Sequence, residues 1–401
     1  MLTRIAVFQY GWMVQSYTRD LIENLAREGY LVTFFVDKKS LNSGLINLAT
    51  LDIPNVEIIE LSGPVNTPDG LFLRVWSRFS RLIQFRLHSI YFVINKCDYE
   101  TVLGWVEVNK SEIKAFIGIE KLGLIIAGKI GQFKKIPCIY YSLELFLSDR
   151  DWGWLYRAKL HLEAKYHKKA SATIIQDDLR ANALFAHNGV ILQERILIPV
   201  GLQTLPLSEP SWYWHEKYLL PTSHKIFLYF GDLTMSLRGL DRLVRAWKFC
   251  PKEYVLILHG NGDSASLKAY CDKEGMSNVI VSTQVVPENQ IPNLIESSDV
   301  GLCIYGNDLI NDRLTAFSSQ KIALNLRSGV PIITSDNESY RRLFDQFPCG
   351  EAILTYSSIS EVAVRVIENH SKFSRNARLA FSSIYANEVN FPKIYKYLAS
   401  I

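Results

Sequence analysis

This sequence contains no apolar run near the ~20 residues that a helix needs to cross a bilayer. Its best stretch, Leu122 to Ile130, is short and carries Lys129, so no membrane-spanning segment is expected. Paired cysteines are missing too. Cys97, Cys138, Cys250, Cys271, Cys303 and Cys349 are scattered, and no two stand at a C-x-x-C or metal-knuckle spacing. That argues against a cysteine metal site or a disulfide scaffold and fits reduced, buried thiols in a cytoplasmic protein. There is no Lys/Arg-rich run, and the net charge is a mild +4, so nucleic acid is not an expected partner. No leader is expected, because Arg4 opens directly onto Ile5-Ala6-Val7-Phe8, which reads as a first core strand. Short repeats and low-complexity tracts are absent.

One absence is local. From Gly70 to Cys97 there is no Asp or Glu, while Arg74, Arg78, Arg81, Arg86 and Lys96 are present. Arg74, Arg78 and Arg81 recur at helical spacing, with Trp76, Phe79, Ile83 and Leu87 on another face. This is the pattern of a basic amphipathic helix. It predicts contact with an anionic membrane surface, the inner face for a cytoplasmic protein, through residues 71–96. The alternative is a surface helix whose apolar side faces the core.

What is present is an alternation of short apolar runs and helical patterns. The predicted strands of the first half are Arg4–Gln9, Tyr30–Val36, Val56–Leu61, Thr101–Trp105, Ala115–Ile119, Cys138–Ser142, Ala172–Gln176 and Ile196–Val200. Those of the second half are Ile226–Phe230, Tyr254–Leu258, Val279–Ser282, Val300–Ile304 and Pro331–Thr334. Most are continuously apolar, as a sheet covered on both faces requires. Between them lie stripes such as Tyr17, Leu21, Leu25 ending at Gly29, and Leu240, Leu243, Val244, Trp247. The fold class is therefore α/β, with parallel sheets and crossover helices. The chain of 401 residues suits two domains. The series restarts at Lys225 after a proline-rich stretch, which predicts a first Rossmann-like domain over 1–201 and a connector over 202–224. A second such domain is expected over 225–380, with a C-terminal helix over 381–401 packing back toward the first.

Doubly wound domains bind ligands beyond the carboxyl ends of their strands, and two motifs fall there. In Phe230-Gly231-Asp232-Leu233-Thr234-Met235-Ser236-Leu237-Arg238-Gly239-Leu240 a strand ends at Gly231 and a loop delivers Arg238 to the next helix start. A guanidinium there grips a diphosphate with paired hydrogen bonds. In Ser318-Ser319-Gln320-Lys321 a helix begins, with Ser318 or Ser319 expected to cap it, and it ends at Gly329. Two hydroxyls and a lysine at a helix N-terminus make a cradle for phosphate. Gly11, after the first strand, is a position at which backbone can approach a ligand.

These residues carry a resemblance. Over roughly 225 to 356 the sequence resembles the donor domain of the retaining, nucleotide-sugar-dependent GT-B glycosyltransferases of the "glycosyl transferases group 1" family. It rests on Gly231 with Arg238-Gly239, the helix Pro292 to Ser298 with Asp299 entering the next strand, Ser318-Ser319-Gln320-Lys321, and Gly329-Val330-Pro331, in order and spacing. In the first half, Ile136 to Leu145, Phe116 to Glu120 and Ile198 to Gly201 resemble segments of the acceptor domain. The resemblance implies two facing domains, a nucleotide-diphosphate sugar as donor, no metal and no further cofactor, and a glycan or lipid-linked acceptor in surface polysaccharide or lipid-linked glycan synthesis. Arg238 and Lys321 would neutralise the leaving diphosphate, with Gly11, Gly231, Ser318, Ser319 and Gln320 as further donor contacts.

The sequence departs from that family at three positions. The usual acceptor-side His falls on Leu143, and the two usual Glu residues fall on Ala316 and Leu324. Glu144, beside the first of these, becomes the leading catalytic carboxylate. The losses favour one alternative, a non-catalytic subunit that binds or stabilises a partner. A second, a nucleotide-sugar 2-epimerase, shares the fold, but the carboxylates and His such enzymes carry around the donor are sparse here. Asp149-Arg150-Asp151 imitates a metal-binding D-x-D, but Trp152-Gly153-Trp154 follows it, and it is set aside. His259 at a strand end and the Trp152/Trp154/Tyr156 cluster read as structural.

Overall fold

The computed structural model describes residues 3–43, 53–64, 90–147, 153–205, 211–235, 239–306 and 308–401. The predicted basic helix over 71–96 falls mostly on residues 65–89, outside that set. The same holds for Arg238 and for the Asp149-Arg150-Asp151 decoy.

The chain divides into two compact units, residues 1–198 with 391–401, and residues 199–390. Among the described residues of the first unit, seven strands form one parallel sheet. They are β1 (Arg4–Gln9), β2 (Leu31–Asp37), β3 (Val56–Leu61), β4 (Ile113–Ile119), β5 (Cys138–Tyr141), β6 (Ala172–Ile175) and β7 (Glu194–Leu197). Their order is β3-β2-β1-β4-β5-β6-β7, so the winding reverses between β1 and β4. The second unit carries β8 (Lys225–Phe230), β9 (Tyr254–His259), β10 (Val279–Ser282), β11 (Val300–Cys303), β12 (Ile332–Ser335) and β13 (Gly350–Ile353). Their order is β10-β9-β8-β11-β12-β13, with the reversal between β8 and β11.

Two-sided burial explains the continuous apolar strands. On β8, Ile226 and Leu228 join one core cluster, and Phe227 and Tyr229 join another. On β9, Val255 and Ile257 face the first cluster, and Leu256 and Leu258 the second. Each successive side chain points to the opposite face, so a sheet coated by helices on both sides leaves no polar register.

Three strand expectations are corrected. Thr101–Trp105 lies inside the helix Lys96–Asn109. Asn95 caps that helix, its side chain accepting from Cys97 N, and Val102 and Val106 are buried one turn apart. The apolar run was a helix face read as a strand. The strand expected at Ile196–Val200 ends at Leu197, because Val200 N bonds to Phe317 O in the second unit. β13 was not anticipated, since Gly350-Glu351-Ala352-Ile353 is short and mixed in character at a sheet edge.

The stretch read as a connector contains the helix Tyr213–Tyr218. Its Trp214 is fully buried, and the indole N–H donates to Leu294 O at 2.8 Å. That anchor places it with the second unit's core. The last helix, Asn387–Ser400, starts in the second unit and ends in the first. There Ile394 and Leu398 are buried and Lys393 Nζ donates to Leu197 O at 3.0 Å.

Candidate functional site

In the second unit the two sequence motifs meet at the β8/β11 reversal. Gly231 follows β8 with a φ of +139°, and a Cβ there would lie 3.0 Å from Lys321 Nζ. The lysine amine therefore rests against bare backbone. It also lies 4.9 Å from the Tyr229 ring centre and 5.0 Å from that of Tyr305. Tyr229 lies on β8 and Tyr305 just past the end of β11, the two strands that flank the reversal. Electron-rich ring faces attract the ammonium and fix it there. Lys321 and Gln320, both half-buried, stand in the first turn of the helix Gln320–Arg327. The N-terminus of that helix carries positive partial charge, which adds to that of Lys321.

The expected serine caps are corrected. Ser319 occupies the N-cap position with extended backbone, but its side chain makes no capping bond. Its hydroxyl bonds instead to Tyr305 Oη at 2.6 Å, while Ser318 Oγ donates to Leu314 O at 3.3 Å. Tyr305 is in turn locked to β12, its N–H donating to Ser335 Oγ and that hydroxyl donating to its carbonyl. Ser319, Tyr305 and Ser335 thus brace the ring on which Lys321 sits.

Beyond Gly231 the loop is self-supporting. Asp232 Oδ1 accepts from Thr234 N and Oγ1, and Asp263 Oδ2 accepts from Met235 N. Residues 236–238, Arg238 among them, fall outside the described set. The loop resumes at Gly239, where any Cβ would overlap the Tyr356 hydroxyl. A cavity of about 360 Å³ opens beside it, lined by Gly239, Arg242, Tyr305, Gly306, Ser335 and Tyr356 among others. Tyr305, Ser335 and Tyr356 are not among the residues the sequence motifs point to. Their signal was position alone, since each stands just past or at the end of a core strand.

The first unit has its own reversal, between β1 and β4. Gly11 follows β1 with a φ of +66°, and its N–H donates to Asp37 Oδ2 at 2.6 Å. That amide is committed to the protein. Glu120 follows β4 and is a non-glycine residue at a φ of +57°. It is buried, and burial first, then the neighbouring Glu144, pushes its carboxyl up to about 7 against the pull of Lys121 and two amide bonds. Lys121 is buried beside it, 3.4 Å from Glu163. Burial opposes the charge on Lys121, but Glu163 and Glu120 outweigh it and hold its pKa above the ordinary value. Glu144 stands half-buried on the loop after β5. Leu143, where the resembling family carries His, is buried at 3 % exposure. Ala316 and Leu324, at the two vacant Glu positions, are also packed into the core. All three departures are apolar packing positions in this chain. His259 is buried as well, bonded to Ser282 Oγ at 3.0 Å and stacked on Phe230.

No known family profile matches the sequence, and no curated protein sequence does. Solved structures do match. HepE of Anabaena, in complex with UDP, aligns over 100% of both chains with a TM-score of 0.69 at 15% identity. Sucrose-phosphate synthase of Thermosynechococcus elongatus aligns over 99% of both chains at 0.64 and 14%. The lipopolysaccharide outer core galactosyltransferase WaaB aligns over 99% of both chains at 0.58 and 16%.

The chain has the GT-B fold. Its two parallel α/β domains account for the alignments running the full length. Identities this low carry the architecture and leave the chemistry to the site. In this chain the cluster of Gly231, Lys321, Tyr229 and Tyr305 stands at the strand-order reversal of the second unit. Ligands settle there in open parallel sheets.

Proposed function

We propose that this chain is a glycosyltransferase that takes a nucleotide-diphosphate sugar as donor. The observation that carries the reading is Lys321 Nζ held against Gly231 at the second reversal. A fixed cation, a helix N-terminus and slim backbone form a receptor for a diphosphate. The full-length likeness to HepE, which has been solved with UDP-glucose, and to a galactosyltransferase supports the same donor chemistry.

In the proposed reaction the anomeric C–O bond breaks and its electron pair leaves on the diphosphate. Lys321, Arg238 and the helix start neutralise that growing charge, the largest contribution expected and one that dispenses with a metal. The acceptor hydroxyl forms the new C–O bond on the face the leaving group vacates, which retains configuration. Its proton goes to the departing phosphate oxygen or to Glu144. Gln320 and Ser319 are further donor contacts of this reading. A hexose donor, assembly of surface polysaccharide or lipid-linked glycan, and contact of residues 71–96 with the inner membrane face belong to it as well.

UDP, GDP and dTDP are to be compared by thermal shift, followed by release of free nucleotide from the matching sugars. One nucleotide is expected to stabilise the protein. Lys321→Ala should weaken that binding by about 10- to 100-fold, the worth of a charge-assisted hydrogen bond, with little loss of fold. Unchanged nucleotide affinity in Lys321→Ala would refute the assignment. A second reading, a GT-B subunit without catalysis, is favoured by the apolar packing of Leu143, Ala316 and Leu324. Stabilisation by nucleotide with no turnover of any donor would support it over transfer.

A further inference from the structure

The loop after β5 is held from below by charged side chains. Glu120 Oε1 accepts from both Leu143 N at 2.7 Å and Glu144 N at 2.9 Å. Arg180, fully buried, donates from Nη2 to Leu143 O at 2.6 Å and from Nε to Gln176 Oε1 at 2.7 Å. Gln176 Nε2 then donates to Ser142 O at 2.7 Å. Three consecutive residues of one turn are thus tied to three buried side chains. An ordinary loop meets water instead.

The backbone of Glu120 makes the arrangement costly. A side chain at a φ of +57° costs about 1–3 kcal/mol relative to a relaxed conformation. Glycine at this β4-to-helix junction would remove that strain. The chain keeps a carboxylate there, and the strained turn aims it at two adjacent amides. The groups facing it are Lys121, Glu144, Tyr17, Tyr140 and Arg180, and Glu163 pairs with Lys121. Tyr17 is buried beside both Glu120 and Glu144. Arg180 faces Glu144, Asp177 and Glu120, so cations and carboxylates alternate beneath the loop.

We infer that Glu120, at the β1/β4 reversal, is a positioning residue: through the Leu143 and Glu144 amides it fixes the orientation of the Glu144 carboxylate on the loop after β5. This rests on the transferase reading, and within it on Glu144, rather than the departing phosphate, taking the proton of the acceptor hydroxyl. Glu120 itself is placed against backbone, not against the reacting sugar.

The test has two arms, one of which needs no activity. In hydrogen exchange of the whole chain, the Leu143 and Glu144 amides should be protected in the wild type. They should exchange markedly faster in Glu120→Gln, while helix amides at 124–130 do not change. In turnover of UDP-glucose followed by UDP release, Glu120→Gln should lower kcat by about 10- to 100-fold, with KM for UDP-glucose and the thermal shift by UDP unchanged. On a Glu144→Ala background the same substitution should cost little more. Equal amide protection in the two proteins, or an undiminished loss on the Glu144→Ala background, overturns the inference. Should Glu120→Gln not fold, Glu120→Asp keeps the charge and withdraws it by one methylene. It is expected to show the same faster exchange and lower kcat, and wild-type values in both would overturn the inference equally. If the wild type releases no UDP, the transferase reading fails for that donor, while the exchange arm still decides whether Glu120 holds the turn.

Discussion

Single residues here carry opposite pH signatures. Folded Glu120 has a carboxyl raised to about 7 from 4.5. Between those values the folded chain keeps a proton that the unfolded chain has lost. Stability therefore falls as the pH rises through the window, by about 1.4 kcal/mol per unit. Urea unfolding of wild type against Glu120→Gln across that range should show the difference narrowing toward pH 7 in favour of the variant, and a flat difference would contradict it. His167 works the other way. Burial lowers it from 6.5 to about 4, so its contribution is complete above 6.5 and is lost as the pH falls toward 4. The sequence showed Lys321 as a cation at a helix start, because charge and periodicity are local. It showed Glu120 only as the end of a strand. Its partners lie 23 and 24 residues further on, and a left-handed non-glycine backbone leaves no mark in composition.

At the scale of elements, the junction between β8 and its loop is where sequence and structure agree best. Gly231→Ala forces a side chain into a φ of +139° and toward the Lys321 amine. We expect a loss of about 1–3 kcal/mol in unfolding free energy and disappearance of nucleotide-dependent stabilisation. Calorimetry with and without UDP checks both, and intact UDP stabilisation in a folded Gly231→Ala protein would count against the site. The strands were legible wherever both faces are buried, as on β8 and β9. Thr101–Trp105 failed because a short apolar run fits a helix face equally well, and the deciding cap at Asn95 lies just outside it. β13 failed because a short edge strand needs little apolar sequence.

For the whole molecule, the restart of the strand and helix series at Lys225 was visible, and the helix Tyr213–Tyr218 just before it was not. The misleading feature was the run of prolines before it, which hid Trp214. Trp214→Ala should destabilise the second unit by about 3–5 kcal/mol, as for other large-to-small core changes. Two-stage thermal unfolding with only one stage displaced would show it, and a concerted shift of both stages would argue against two separate units. A fragment spanning 199–390 should give a cooperative melt by itself. A fragment spanning 1–198 should melt earlier than the same unit in the full chain, because Ile394, Leu398 and the Lys393 bond to Leu197 are gone.

The helix Asn387–Ser400 makes one domain an insertion within the other. On the ribosome the inserted domain is made of unbroken sequence, and it is free to close as soon as it emerges. The host domain, although begun first, gains the contacts of positions 391–401 last, so it reaches its full stability only after the inserted domain has been made.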